Sequence, residues 1–152
     1  MKKSLHNRVD FEEIRQRISC LTEDSPAKWG KMKAAQMMKH CNLVLQVPLK
    51  NIDLPSVNVV FEAIGIMAKI EMQLFNNGIP RNMPTFQKLI VNFECDFDET
   101  KKELLQTLEA YWKAFEHKNL PDRHELFGEM TEKDWGFLEY KHLNHHFKQF
   151  NI

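Results

Sequence analysis

Cysteine is scarce, and no two cysteines stand close together. Cys20, Cys41 and Cys95 are the three in 152 residues, too few and too scattered for a disulfide framework. Without a CxxC spacing, a cysteine zinc finger is excluded. An excess of one charge is also missing. Lys plus Arg and Asp plus Glu both number 21, so the formal net charge is zero. A nucleic-acid or anionic-membrane partner calls for a strong basic field, so neither is expected. A neutral chain also self-associates more easily near neutral pH. Long apolar runs are absent as well. The most apolar stretch, residues 57 to 70, is interrupted by Glu62 and Lys69 and is shorter than the roughly 20 residues of a membrane span. The first eight residues have no apolar core of the kind a secretory leader needs, so a cytoplasmic location is expected. There is no repeat period, no low-complexity segment and no sustained two-residue alternation.

Helical spacing is what the chain does have. Its length and its 43% hydrophobic content fit one globular domain spanning 1–152. The first predicted helix starts at Asp10, with Glu13 completing a capping box and Val9 stapled to Ile14. Phe11, Ile14, Ile18 and Leu21 form its apolar face. Residues 22–30 read as a loop with a turn at Ser25-Pro26. A second helix is expected from about Lys33 to Val47, with Met37, His40, Val44 and Val47 along one side and Pro48 as its stop. A third segment runs from about Ser56 to Phe75, with an apolar stripe of Val60, Ile64, Met67 and Leu74, and ends at Asn77-Gly78. Residues 81–95 fit either a helix begun at Pro84-Thr85 or a loop. The next helix extends from Asp96 or Asp98 to His117, with Leu104, Leu108, Tyr111 and Phe115 at helical spacing. The last is capped by Thr131, with Asp134 as the capping-box acid and Met130 against Trp135 as a staple. It continues to about Lys148. The expected fold is all-α, a four-helix bundle.

Three of the seven histidines fall within five residues: His142, His145 and His146. On a helix, residues four apart share a face, so His142 and His146 can ligate one metal ion. His145 lies about 100° round the helix from His146 and cannot easily join that pair. Trp135, Leu138, His142, His146 and Gln149 follow one line, whose apolar end should face the core. Two imidazoles there are costly to bury unless each nitrogen finds a partner, and a metal satisfies both. A third ligand must come from another element, and His40 on the second helix is the best placed. His124 is the reserve. The competing reading is a solvated or hydrogen-bonded histidine pair with no metal. Cys41, next to His40, reads as a small buried residue. Trp29, Trp112 and Trp135 are core residues before they are pocket residues.

Several blocks carry a family likeness: Leu21-Thr22 to Ser25-Pro26, Trp29-Gly30-Lys31-Met32, and Ala35-Gln36-Met37-Met38-Lys39-His40-Cys41. Toward the end follow His124-Glu125-Leu126-Phe127-Gly128, Trp135-Gly136, and Lys141 through Phe150 with its HxxxH pair. Together they span nearly the whole chain, and the last block is the most specific. In them the chain resembles the DinB-like superfamily of four-helix metalloproteins, which includes bacillithiol transferases and mycothiol-dependent isomerases, and within it a branch of unknown function. The resemblance implies a divalent metal held by His40, His142 and His146. The sequence departs from the branch pattern in three places. Lys33-Ala34 replaces a Ser/Thr-Pro helix start, Asn144 an aspartate, and Asn151 a terminal glycine whose left-handed conformation Asn also adopts. No ligand is lost.

Three neutral histidines would leave such an ion its double charge and an open position, which acidifies a coordinated water or thiol. Zinc and nickel both suit imidazole ligands. The HExxH glutamate of zinc proteases is absent, so peptide hydrolysis is not supported. Gln36, Asn144, His145 and Gln149 are candidates to orient ligands or substrate. The resemblance implies an enzyme in which the metal presents the thiolate of a low-molecular-weight thiol to an electrophile. A metal-dependent hydrolase is the nearby variant. Against both stands a metal-stabilised, dimerising interaction module, favoured if His145 or His124 closes the coordination sphere. A homodimer formed through helix faces is a further implication of the resemblance.

Overall fold

The computed structural model describes residues 2–152 as five α-helices with a two-stranded ribbon before the last. Helix α1 spans Arg8–Ser19 and is capped by Asn7, three residues earlier than the Asp10 that the acid pattern predicts. Asn7 accepts from the amides of Val9 and Asp10, as a short polar side chain before a helix does. Asp10 instead accepts from the Ser4 amide at 3.0 Å, and Val9 points into solvent, so the expected staple is not formed. Phe11, Ile14, Ile18 and Leu21 are buried as their spacing requires.

Helix α2, Ala34–Gln46, starts at a Lys33 N-cap whose backbone amide donates to the Gln36 side chain. Its buried stripe is Met37, Met38, Cys41 and Leu45, with His40 at one edge; Val44 and Val47 are only partly covered. Helix α4 covers Phe97–Glu116 behind an Asp96 cap. Helix α5 covers Glu132–Gln149, and Thr131 and Asp134 form the expected capping box. Between α4 and α5, β1 (Arg123–His124) and β2 (Gly128–Glu129) pair antiparallel, too short to leave an alternating pattern in the sequence. Residues 81–95 form no α-helix; they carry a single 3₁₀ turn at Gln87–Leu89.

One apolar core joins α1, α2, α4 and α5: Phe11 and Ile14, Met38 and Leu45, Leu104 and Tyr111, Leu143 and Phe147 all meet there. A smaller cluster under the ribbon holds Met130, Trp135, Phe137 and Leu138, which places the Met130–Trp135 staple as expected. Trp135 donates to the Pro121 carbonyl at 2.6 Å. Among the described residues, no helix is long and apolar enough to cross a membrane.

Helix α3, Val59–Phe75, overturns its predicted orientation. The expected core stripe of Val60, Ile64, Met67 and Leu74 is exposed to solvent, and the side turned inward carries Gly65 and Lys69. The cause is what lies beneath. α3 crosses the ribbon loop so closely that a Cβ on Gly65 would sit 2.1 Å from the Leu126 carbonyl oxygen. One turn on, Lys69 donates to the Glu129 carbonyl, and Gln73 donates to Asp134. The ribbon's backbone takes up much of the space under α3, so its fully buried positions are Gly65 and Lys69; only Ile66, against Gly128, and Met72, against the smaller cluster, pack inward among its large apolar residues, and the others point out.

Candidate metal centre

The buried edge of α2 brings His40 against α5, where His142 and His146 lie one turn apart on the facing side. The ring centroids are 5.0 Å apart for His40–His142, 4.8 Å for His40–His146 and 4.7 Å for His142–His146. One nitrogen of each ring lies within 4.8 Å of the others, so the three together could hold a metal ion. His40 Nε2 and His142 Nε2 are 3.1 Å apart. Two imidazole nitrogens on a tetrahedral zinc stand about 3.3 Å apart, so these side chains already have close to that spacing.

Outer contacts fix which nitrogen is free. His40 Nδ1 donates to the Leu89 carbonyl at 2.7 Å, which leaves the Nε2 lone pair facing His142. The carbonyl comes from the 3₁₀ turn. His146 Nδ1 lies 2.9 Å from Gln149 Oε1, an acceptor, so Nδ1 carries the proton and Nε2 is free. Gln149 is held in turn: its Nε2 donates to the Trp29 carbonyl at 2.7 Å. The Trp29-Gly30 block belongs to this arrangement, because the loop wraps the end of α5. Lys28 donates to the Gln149 carbonyl, and Gly30, at φ +80°, passes where a Cβ would lie 2.6 Å from Gln149 Nε2. Outer hydrogen bonds of this kind orient histidine ligands in metal sites.

All three imidazoles are neutral. Burial pulls His40 below its ordinary range, His142 well below it, and His146 down to about 3. His142 Nδ1 is buried with no hydrogen-bond partner, and so is Oε2 of Glu139 three residues before it on α5. Burial raises the Glu139 carboxyl to about 8. Glu139 is not a member of the histidine group; its carboxyl acts on Cys41 and Tyr111 in the core. Leu89 could not have been found, since a backbone carbonyl leaves no mark in the sequence.

The remaining candidates separate. Gln149 touches a ligand directly. Gln36 does not: it caps α2 and donates to the Phe93 carbonyl. Asn144 accepts from Arg17 at 2.9 Å. His145 packs edge-on against both His146 and Trp29 and lines a surface cleft with Trp29, Ile79, Arg81, Lys141, Asn144 and Lys148. His124 stands apart from the three-histidine group, its Nδ1 accepting from the amides of Leu126 and Phe127 in the ribbon loop. Cys41 is wholly buried, its thiol pushed up by desolvation. Trp112 packs against Phe11 and Phe115, and Trp29 borders the cleft.

Fold and site thus define a predominantly helical protein with a buried three-histidine cluster able to hold a metal ion. The chain belongs to the family described as protein of unknown function (DUF1569), whose model matches residues 1–151. No curated protein and no solved structure matches it.

Proposed function

We propose that the protein binds one divalent metal, zinc or nickel, through His40, His142 and His146, and uses it to activate a low-molecular-weight thiol for transfer to an electrophile. The observation that carries this reading is the pair of outer contacts from Leu89 and Gln149, which point two free Nε2 lone pairs at the nitrogen of a third histidine. In this reading α1, α2, α4 and α5, which share the main core, are the four helices of a DinB-like bundle. The free cysteines fit the reducing cytoplasm.

A divalent ion on three neutral ligands supplies Lewis acidity that lowers the pKa of a coordinated thiol or water. The chain's own residues do the rest. His40 and His146 stay neutral because burial opposes a second proton and outweighs the pull of the Leu89 and Gln149 acceptors, which favour it. The cleft beside His145 orients the co-substrate. Its lining includes Arg81, Lys141 and Lys148 and no carboxylate, so the thiol is expected to carry an anionic group. Arg81 stacks its guanidinium 4.2 Å above the Trp29 ring, which holds that cation at the cleft wall.

Elemental analysis of untagged protein tests the foundation. About one equivalent of zinc or nickel per chain is expected, lost in His40→Ala, His142→Ala and His146→Ala. Protein that stays empty after incubation with both metals would refute the reading. Loaded protein is then assayed for thiol consumption with a panel of anionic thiols and alkylating electrophiles. Ester hydrolysis without thiol consumption would move the assignment to a hydrolase.

A further inference from the structure

From the cleft walled by Trp29 and Arg81 we infer a binding site for the phosphate group of a small phosphate ester, held by Lys28, Arg81 and Lys148. The phosphate site needs no metal. Only the direction of the rest of the molecule, toward His145, rests on the proposed metal chemistry.

The cleft has two halves with a shared wall. The outer half, about 350 Å³, is lined by Lys28, Trp29, Arg81, Lys148, Asn151 and Ile152. The inner half, about 190 Å³, shares Trp29, Arg81 and Lys148 and adds Lys141 and His145. Four cations thus converge from the loop before α2, the segment after α3, and α5. No aspartate or glutamate lines either half, although the chain carries as many acids as bases. Among the described residues none of the four is in an ion pair, whereas Lys33 and Lys39, at the start of α2, each hold a glutamate. Lys141 donates to the carbonyls of Asn76 and Asn77. Lys28, Arg81 and Lys148 keep their charges unopposed.

Part of this has an ordinary cause. Lys148 stands in the last turn of α5, and the Lys28 amide donates to the Gln149 carbonyl at its end, where cations offset the helix dipole. Arg81 has no such role. Its guanidinium is held by stacking 4.2 Å above the Trp29 ring, and Trp29 is itself fixed through Gln149. A stacked guanidinium keeps its in-plane N–H donors free for an anion, and no acid of the chain takes them.

The charges select the ligand. A single carboxylate is satisfied by one arginine. A phosphate monoester carries about −1.5 to −2 charges at neutral pH and offers three acceptor oxygens, which suits three unpaired cations. The outer half is larger than a phosphate needs, and its volume lies at the small end of the roughly 300–1,000 Å³ of small-molecule sites. Trp29 and Ile152 supply apolar wall for an organic body. A polynucleotide is not selected, because the chain as a whole has no basic excess. The organic body extends along the inner half toward His145, whose ring packs 5.0 Å from that of His146.

Titration of the metal-free, isotope-labelled full chain with phenyl phosphate, inorganic phosphate and benzoate, at constant ionic strength, tests this. The readout is the indole N–H resonance of Trp29, assigned with Trp29→Phe. Phenyl phosphate is expected to give a saturable shift with a Kd of about 1 mM or tighter. Inorganic phosphate should bind more weakly, and benzoate should give no shift over the same range. Arg81→Gln and Lys148→Gln should each weaken phenyl phosphate at least about tenfold. Lys133→Gln, which removes a charge elsewhere on α5, should not. All three positions are exposed, so the variants keep their fold, which a wild-type amide spectrum checks. Equal responses to benzoate and phenyl phosphate, equal affinity for inorganic phosphate and its phenyl ester, or Arg81→Gln and Lys148→Gln proteins that bind as wild type would each overturn the proposal. A positive titration from a chain that takes up neither zinc nor nickel would keep this site and refute the metal reading alone.

Discussion

Gln149 binds at two ends: Oε1 accepts from His146, and Nε2 donates to the Trp29 carbonyl. Removing it leaves every metal ligand in place but frees the His146 ring to rotate and exchange tautomers. Gln149→Leu should therefore weaken zinc binding by roughly 10–100-fold, measured by competition with a chromophoric chelator. An unchanged affinity would mean that His146 is held by packing alone. Gln149 was legible in the sequence because it continues the Trp135–His142–His146 line by a further three residues. Asn144 and His145 share that helix but sit off the line, and the structure turns both toward the surface cleft. Gln36 looked similar on paper, one turn before His40. Its position in the first turn of α2 decided otherwise, since unpaired amides at a helix start compete for such a side chain.

At the level of elements, the caps were the most readable feature where the polar residue and the apolar onset coincide. Thr131 and Asp134 satisfy both exposed amides at the start of α5 and set where that helix begins, three turns before His142. Thr131→Ala should cost about 1 kcal/mol in urea denaturation, with no change in metal content. The start of α1 was misplaced: Asp10 was the expected cap, but Asn7 takes that role and Asp10 bonds the Ser4 amide instead. α3 was misread for a different reason. Amphipathicity states that a helix has an apolar side but not what that side meets. An apolar side turned to solvent has the same period as one bound for the core.

Across the whole molecule, buried titratable groups tie stability to pH. His6, stacked on Phe115 and bonded to Tyr111, and His124, in the first strand of the ribbon, are both held near 4 by desolvation, against an ordinary 6.5. Between those values the unfolded chain binds protons that the folded chain refuses, so their stability is complete above about 6.5 and is lost as pH falls. Glu139 acts in the opposite sense. Its folded form keeps a proton up to about 8, while the unfolded chain releases it near 4.5, so it costs stability as pH rises between them. Thermal melts of the metal-free protein should therefore drop by several degrees from pH 6.5 to 4.5. Glu139→Gln should recover stability at pH 8 relative to wild type. A melting temperature flat over the acid range would contradict the burial of these histidines.

By itself the sequence determined the helical class, the ends of α4 and α5 and the histidines able to meet, because periodicity, caps and the i, i+4 relation are local properties. Asn151, where the resemblance implies a terminal glycine, has φ 61°, the left-handed conformation that Asn also adopts. Only the tertiary structure decided that Leu89 and Trp29 supply the carbonyls around the site, that His124 serves the ribbon, and that α3 turns its apolar side outward. Those outcomes depend on which backbone passes over which helix. That is set by packing between segments distant in the chain, and no local pattern encodes it.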